Sequence, residues 1–303
     1  MKKILLICIF TFLAFQLKAE ERYITTSDGV QLYVKIEGTG EPCLYLHGGP
    51  GSGSYWVEKF YGKQLESEFT MIYLDQRGVG RSSSPGNKDF SPERMALDFE
   101  EVRQALGYDS WITLGHSFGG ILQMQYVENY PNSTKGLIMV NCTLDINESF
   151  CESWSPKAAE FLEINNLPGC ANDTLPLMNR MQSHIYELKQ KDIFWKMGFA
   201  TKEAEALLDA TYSEIPDWNF DFGNAAFSYD GYWKDFKPAT ANVTIPVLFY
   251  YGTKDWMVGP NHYKGMKFPN MLLWKNDGGH IPFMENQEDL QSAITAYKAE
   301  YNF

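Results

Sequence analysis

Apolar positions along the chain come in three arrangements: alternation, short unbroken runs and helical stripes. Arg22 to Thr26 and Val30 to Glu37 alternate around Ser27-Asp28-Gly29, a turn signal, and predict an antiparallel hairpin. Pro42–Leu46, Thr70–Leu74, the run from Trp111, Lys135–Asn141, Pro246–Tyr251 and Met271–Lys275 are compact apolar runs. Each reads as a buried strand. Between them lie helical patterns over Trp56–Glu66, Ile121–Tyr130 and Gln287–Tyr301. Another starts at Ser91-Pro92-Glu93, with proline in the first turn, and runs to Leu106, where Gly107 stops it. Strands alternating with helices at this spacing imply an α/β fold, a mostly parallel eight-stranded sheet with helices on both faces. The rhythm breaks over 145–238. That segment carries no strand pattern, is rich in aromatic, methionine and acidic residues, and has helical stretches at Pro176–Lys189 and Lys202–Ala210. It is read as a helical cap inserted into a scaffold formed by 20–144 and 239–303.

The first residues change the picture of where the protein works. Met1-Lys2-Lys3 gives a positive start, and Ile4 to Leu17 is nearly all apolar, a run too short to span a bilayer. Residues 1–19 are therefore read as a signal peptide, and the protein as exported, periplasmic or secreted. No later stretch predicts a membrane span. Cys8 leaves with that peptide. Cys43 and Cys142 sit in apolar runs and read as buried thiols, whereas Cys151 and Cys170 lie in loop-rich sequence that an exported protein can bridge. The remaining four cysteines allow three pairings, and spacing does not choose among them. A net charge of −12 argues against nucleic acid as a partner. No C-x-x-C or histidine cluster points to a metal, and no cofactor is called for. The oligomeric state is left open.

Candidate chemistry centres on Gly115-His116-Ser117-Phe118-Gly119-Gly120, between a strand pattern and a helical one. This is the G-x-S-x-G elbow in its required context, a sharp strand-to-helix turn that presents Ser117 as a nucleophile. A serine needs a base, and the base an orienting carboxylate. His280 follows the last strand in a glycine-rich loop, and Asp255 follows the strand before it in Gly252-Thr253-Lys254-Asp255. The order Ser117, Asp255, His280 is that of α/β-hydrolases. Asp277 is the rival carboxylate, but it lies too near His280 in sequence. The oxyanion of a tetrahedral intermediate needs backbone donors. The candidates are the N–H of Phe118 and that of Gly49, in His47-Gly48-Gly49-Pro50-Gly51 after the third strand. His47 is expected to brace that loop and His116 to pack beside the elbow. His184 and His262 are read as surface residues.

Together H-G-G-P-G at 47–51, D-Q-R-G-V-G-R-S at 75–82 and G-H-S-F-G-G at 115–120 resemble the prolyl aminopeptidase (proline iminopeptidase) family of the α/β-hydrolase superfamily. G-T-K-D at 252–255 and the G-G-H ending at His280 fit the same pattern. The resemblance covers the scaffold and implies an α/β-hydrolase fold with a helical cap and removal of an N-terminal residue, often proline, from short peptides. It implies Ser117 as nucleophile, His280 as base and Asp255 as orienter, with Gly49 and Phe118 as oxyanion donors; Asp75 and Arg77 look structural. The family binds the free α-amine with cap carboxylates, yet its E-x-H-Y-F-like stretch is not found here. The acids considered are Glu148, Glu152, Glu203, Glu214, Asp217, Asp221 and Asp230. Of these Glu214, Asp217 and Asp221, with Trp218 beside them, are taken as the substrate-binding set. The competing readings are a carboxylesterase or carbon–carbon bond hydrolase of the same fold, which needs no amine anchor, and a non-catalytic binding protein. Dehalogenases and epoxide hydrolases of this fold use a carboxylate nucleophile, against which Ser117 argues.

Overall fold

The structure is a computed structural model that describes residues 19–165, 170 and 177–303. All of the expected signal peptide except Ala19 lies outside the described residues. One eight-stranded sheet runs through the molecule. Its strands are β1 (Glu20–Thr25), β2 (Gln31–Gly38), β3 (Glu41–Leu46), β4 (Phe69–Leu74), β5 (Trp111–His116), β6 (Thr134–Val140), β7 (Val247–Gly252) and β8 (Met271–Asn276). Their order in the sheet is β1-β2-β4-β3-β5-β6-β7-β8. The β1–β2 and β2–β4 pairs are antiparallel and the rest parallel. The hairpin therefore forms one edge, and the parallel strands, covered on both faces, are the continuous apolar runs.

The helices form because each has one apolar stripe and a defined start or stop. In α1 (Tyr55–Glu68), Trp56, Val57, Tyr61 and Leu65 are buried against one face of the sheet, with Leu290, Ile294 and Tyr297 of the C-terminal helix Gln287–Tyr301. On the other face α2 (Pro92–Leu106) buries Met95, Phe99 and Val102 beside Ile121 and Leu122 of α3 (Gly119–Asn129). Ser91 caps α2 by accepting from the Arg94 N–H at 3.3 Å, and Gly107 ends it at φ +74°, where a side chain would be strained. Arg77, fully buried, pairs with both Asp98 of α2 and Asp28 of the hairpin turn, which ties the loop after β4 to two elements. A buried guanidinium is tolerated only when so paired.

Between β6 and β7 the described residues contain no strand. Their helices are α4 (Ile146–Glu148), a π-helical turn at Ser149–Trp154, α5 (Ser155–Phe161), α6 (Leu177–Gln190), α7 (Lys202–Glu214) and α8 (Asp221–Ala225). They pack partly on themselves, through Trp154, Ala158, Met181, Leu188 and Met197. A disulfide joins Cys151 to Cys170, while Cys43 and Cys142 are buried free thiols. The two ends of this segment meet. The Phe236 N–H donates to the Leu144 carbonyl at 2.9 Å, and Lys237 pairs with Glu148. His262, only 3% exposed, accepts the Leu144 N–H at 2.8 Å through Nε2. His184 is also buried, stacked on Trp154. Both histidines were expected at the surface. They are buried because imidazole has an apolar face to stack and ring nitrogens to satisfy a backbone group, which hydropathy alone does not register. The chain closes with α9 (Pro282–Glu285) and α10 (Gln287–Tyr301), and no helix of the described residues is long and apolar enough to cross a membrane.

Candidate active site

Ser117 follows the last residue of β5 at φ +56°, in the left-handed region that a side chain rarely adopts. The backbone holds it there from three sides. Its N–H donates to the Val140 carbonyl at 3.2 Å, and its carbonyl accepts from Gly120 at 3.1 Å and Thr143 at 3.0 Å. The flanking glycines are required by contact. A Cβ on Gly119 would lie 2.2 Å from the Leu46 carbonyl oxygen, and one on Gly115 would lie 2.2 Å from Gln123 Oε1. Strand, strained serine and tight helix start are thus one packed unit.

His280 and Asp255 come from the loops after β8 and β7. His280 Nδ1 lies 3.0 Å from Asp255 Oδ2, and both residues are buried. The other carboxylate oxygen accepts from the Met257 and Val258 N–H groups at 3.0 and 3.1 Å. With the carboxylate accepting, Nδ1 carries the ring proton and leaves Nε2 as the basic nitrogen. Asp277 is exposed on another surface, with no hydrogen bond to His280. The base loop is fixed from both sides, since the His280 N–H donates to Gly198 at 2.7 Å and Asn141 Nδ2 donates to the Gly279 carbonyl at 2.9 Å. His116 packs among Trp56, Phe283 and His280, and its Nε2 lies 2.9 Å from the His280 carbonyl. Burial, then the neighbouring His280, keeps its imidazole neutral, well below the usual histidine range.

Gly49 sits at φ +109° in the loop after β3, close to the elbow: a Cβ on its neighbour Gly48 would be 2.7 Å from Ser117 Cβ. Among the described residues neither the Gly49 nor the Phe118 backbone N–H has an acceptor. His47 is fully buried behind this loop, where Nε2 accepts the Gln76 N–H at 3.2 Å. Asp75 gathers the Ser54 N–H, the Ser54 hydroxyl and Arg81.

Two cavities meet at Ser117, and Gly49, Phe194 and Met257 line both. One, about 180 Å³, lies beside Phe118 and Ile146. The other, about 240 Å³, holds His280, Tyr212 and two carboxylates, Glu205 and Asp209. Among the described residues neither carboxylate has a hydrogen bond or an ion pair. Burial pushes both above the ordinary carboxylate range; the charge of Asp209 raises Glu205 further, and Lys189 opposes the shift at each.

A sequence-family profile described as alpha/beta hydrolase fold matches residues 41–287. The chain belongs to the α/β-hydrolase fold family. This α/β hydrolase is 34% identical over 121 residues to a proline iminopeptidase of Neisseria gonorrhoeae, a match that takes in 39% of the chain and 38% of that protein. The chain thus spans less than two fifths of that relative's own length. It is also 24% identical to Lipase 1 of Psychrobacter immobilis, over 92% of the chain and 84% of that protein. Among solved structures it resembles a proline iminopeptidase-related protein of Thermus thermophilus, with TM-score 0.75, 21% identity and coverage of 94% and 99%. At that identity the likeness concerns the fold.

The hydrolase does not bring the expected substrate-binding set to the cavities. Glu214 bonds Tyr55 and Lys59 on the outer surface, because it lies about two and a half turns beyond Glu205 on α7, on the opposite face. Asp221 accepts from the Ser84 hydroxyl at 2.5 Å, and Asp217 is exposed. Trp218 packs over Gly53 and Gly80, drawn there by the Gly80–Asn219 bridge. None of the four lines either cavity. Glu205 and Asp209 were missed. The signal for them is the spacing Glu205, Leu208, Asp209, Tyr212, one stripe of a helix, in which two acids sit where apolar residues are expected.

Proposed function

We propose that this protein is an exported serine hydrolase that works through an acyl-enzyme, and that its substrates carry a free amine beside the scissile carbonyl, as an aminopeptidase requires. The observation that carries the amine is the pair Glu205, partly buried, and Asp209, exposed, neither of them hydrogen-bonded or ion-paired among the described residues, in the cavity that also holds Ser117, His280 and the single cation Lys189. Two carboxylates one turn apart on a helix repel each other. A bound ammonium offsets that repulsion and their desolvation at once.

In this reading Ser117 Oγ attacks the carbonyl carbon while His280 Nε2 takes its proton. The developing oxyanion accepts from the Gly49 and Phe118 N–H groups. His280 gives the proton to the leaving amine as the carbonyl–nitrogen bond breaks. Water, deprotonated by His280, then cleaves the acyl–Ser117 ester. Residues 145–238 act as the cap over a scaffold of 20–144 and 239–303, and residues 1–19 direct export, so that native protein begins near Glu20. The partial likeness to proline iminopeptidase favours the peptidase reading. The apolar cavity beside Phe118 favours a second one, an esterase of apolar acyl groups.

The test compares aminoacyl 4-nitroanilides with their N-acetylated forms in wild type, Glu205→Gln and Asp209→Asn, after a fluorophosphonate adduct has been mapped. The reading expects the adduct on Ser117, a strong preference for the free amine, and loss of that preference in at least one variant. Equal turnover of both forms rejects the amine and leaves the esterase reading. Full activity in Ser117→Ala rejects the mechanism.

A further inference from the structure

We infer that the 180 Å³ cavity is the acyl side-chain pocket and that it selects bulky, uncharged side chains of phenyl or branched-alkyl size in preference to proline. The inference rests on the acyl-enzyme reading of Ser117. The two cavities lie on different sides of Ser117. The base must hand its proton to the departing group, so the leaving group lies on the side of His280. His280 and Ile281 line the larger cavity and not the smaller. The smaller lies instead beside Phe118, the residue whose N–H the proposed mechanism assigns to the oxyanion. The side chain on the α-carbon of the acyl group therefore enters the smaller cavity, while the amine on that same α-carbon turns at the junction toward Glu205 and Asp209, so that the larger cavity takes both the ammonium and the leaving group.

The walls decide what fits. Phe150, Trp154, Met181, Ile185, Phe227 and Met257 line it, and no charged residue of the described chain does. Two of its hydroxyls are bonded to each other, Thr143 to Ser149 at 2.8 Å. A charged side chain would enter unpaired, at a desolvation cost that excludes it. An apolar cavity of about 150 Å³ holds a benzene ring, so one of about 180 Å³ takes a phenyl group or a branched chain. Proline offers only three methylenes and leaves the far wall without contact. The methionines adjust to the shape of what enters, so leucyl, methionyl and phenylalanyl groups are accepted together.

A difference in side-chain size in such a pocket is typically worth roughly 10- to 200-fold in kcat/KM. The full chain is assayed on phenylalanyl, leucyl, alanyl and prolyl 4-nitroanilides and, without any amine, on 4-nitrophenyl phenylacetate and acetate. The expected result is phenylalanyl and leucyl about 100-fold above alanyl and at least about tenfold above prolyl, with phenylacetate above acetate by a similar factor. Ile185→Phe and Met181→Phe, each filling the cavity, should lower the phenylacetate-to-acetate ratio at least about tenfold. Prolyl or alanyl turned over fastest, a phenylacetate-to-acetate ratio near one, or a ratio unmoved in both folded variants overturns the assignment. The ester ratio does not depend on an amine, so it reads the cavity even if the amine anchor fails. Loss of Ser117-dependent turnover of every substrate overturns the mechanism and the pocket together.

Discussion

Replacing Asp255 by Asn removes one charge and reverses one hydrogen bond. In the native arrangement Oδ1 accepts from the Met257 and Val258 N–H groups and Oδ2 faces His280 Nδ1 at 3.0 Å. An asparagine keeps its carbonyl oxygen on the two backbone donors, because its amide nitrogen cannot accept from them. The amide NH₂ is then left facing Nδ1 and donates to it. His280 becomes an acceptor at Nδ1, its proton moves to Nε2, and the nitrogen that should receive the Ser117 proton is already occupied. An equivalent change in the serine-protease triad costs on the order of 10⁴ in kcat, which is about 5.4 kcal/mol at the transition state. The fold loses far less. Two charge-assisted bonds become neutral ones, a change of about 1–2 kcal/mol, and melting falls by only a few degrees. The assay pairs kcat/KM on a free-amine nitroanilide with the rate of fluorophosphonate labelling and a thermal melt of each variant. A rate within tenfold of wild type refutes the reasoning. So does Asp277→Asn proving the crippling change.

Three further outcomes are expected. Replacing Cys151 and Cys170 by serine opens a bridge between residues 19 apart and should lower stability by about 3 kcal/mol, read from urea denaturation of the oxidised wild type and the double variant. Burial pushes His47 down to about 4, so between pH 6.5 and 4 the unfolded chain binds a proton that the folded chain refuses. Stability should therefore fall on acidification through that window, by up to about 3 kcal/mol from this residue, and His47→Gln should flatten the fall in urea midpoints. Because Glu205 and Asp209 are raised above the ordinary carboxylate range, they take up protons earlier on acidification than exposed acids do. The ratio of free-amine nitroanilide to uncharged ester turnover should decline on mild acidification, since whatever both substrates share cancels in the ratio; a ratio flat down to about pH 4 speaks against the anchor.

The scaffold was legible because its signals are local. Apolar runs, Ser91-Pro92 and Gly107 fix strands and helix ends within a few residues, and α10 occupies the predicted Gln287–Tyr301. The residues brought together at the elbow were legible for a related reason: each sits at the end of a strand, and a parallel sheet carries those ends to one edge. The segment between β6 and β7 offers no such rule. Its acids are equivalent in sequence, and only helix phase and docking separate Glu205, facing the cavity, from Glu214, facing Lys59. The acids nearest aromatic residues in sequence are those around Trp218. They are near one another, but the Gly80–Asn219 bridge turns them toward the Asp75 loop. The buried histidines His184 and His262 escaped because their role is set by distant partners, Trp154 and the Leu144 amide.

The clasp where Leu144 meets Phe236 and Glu148 meets Lys237 has an evolutionary consequence. A segment that leaves and rejoins the scaffold at adjacent points behaves as a graft: its length and internal order can change while the two attachment points stay a hydrogen bond apart. Closing such a loop costs little more as it lengthens, since the entropy grows only with the logarithm of length. Descendants of this chain can therefore exchange the whole graft, and with it the walls Phe150, Trp154, Met181 and Ile185, without touching the strand ends that hold Ser117, Asp255 and His280. The cavity walls and the strand ends at the elbow can then be inherited as separable traits. Likeness to relatives as different as an iminopeptidase and a lipase fits such inheritance.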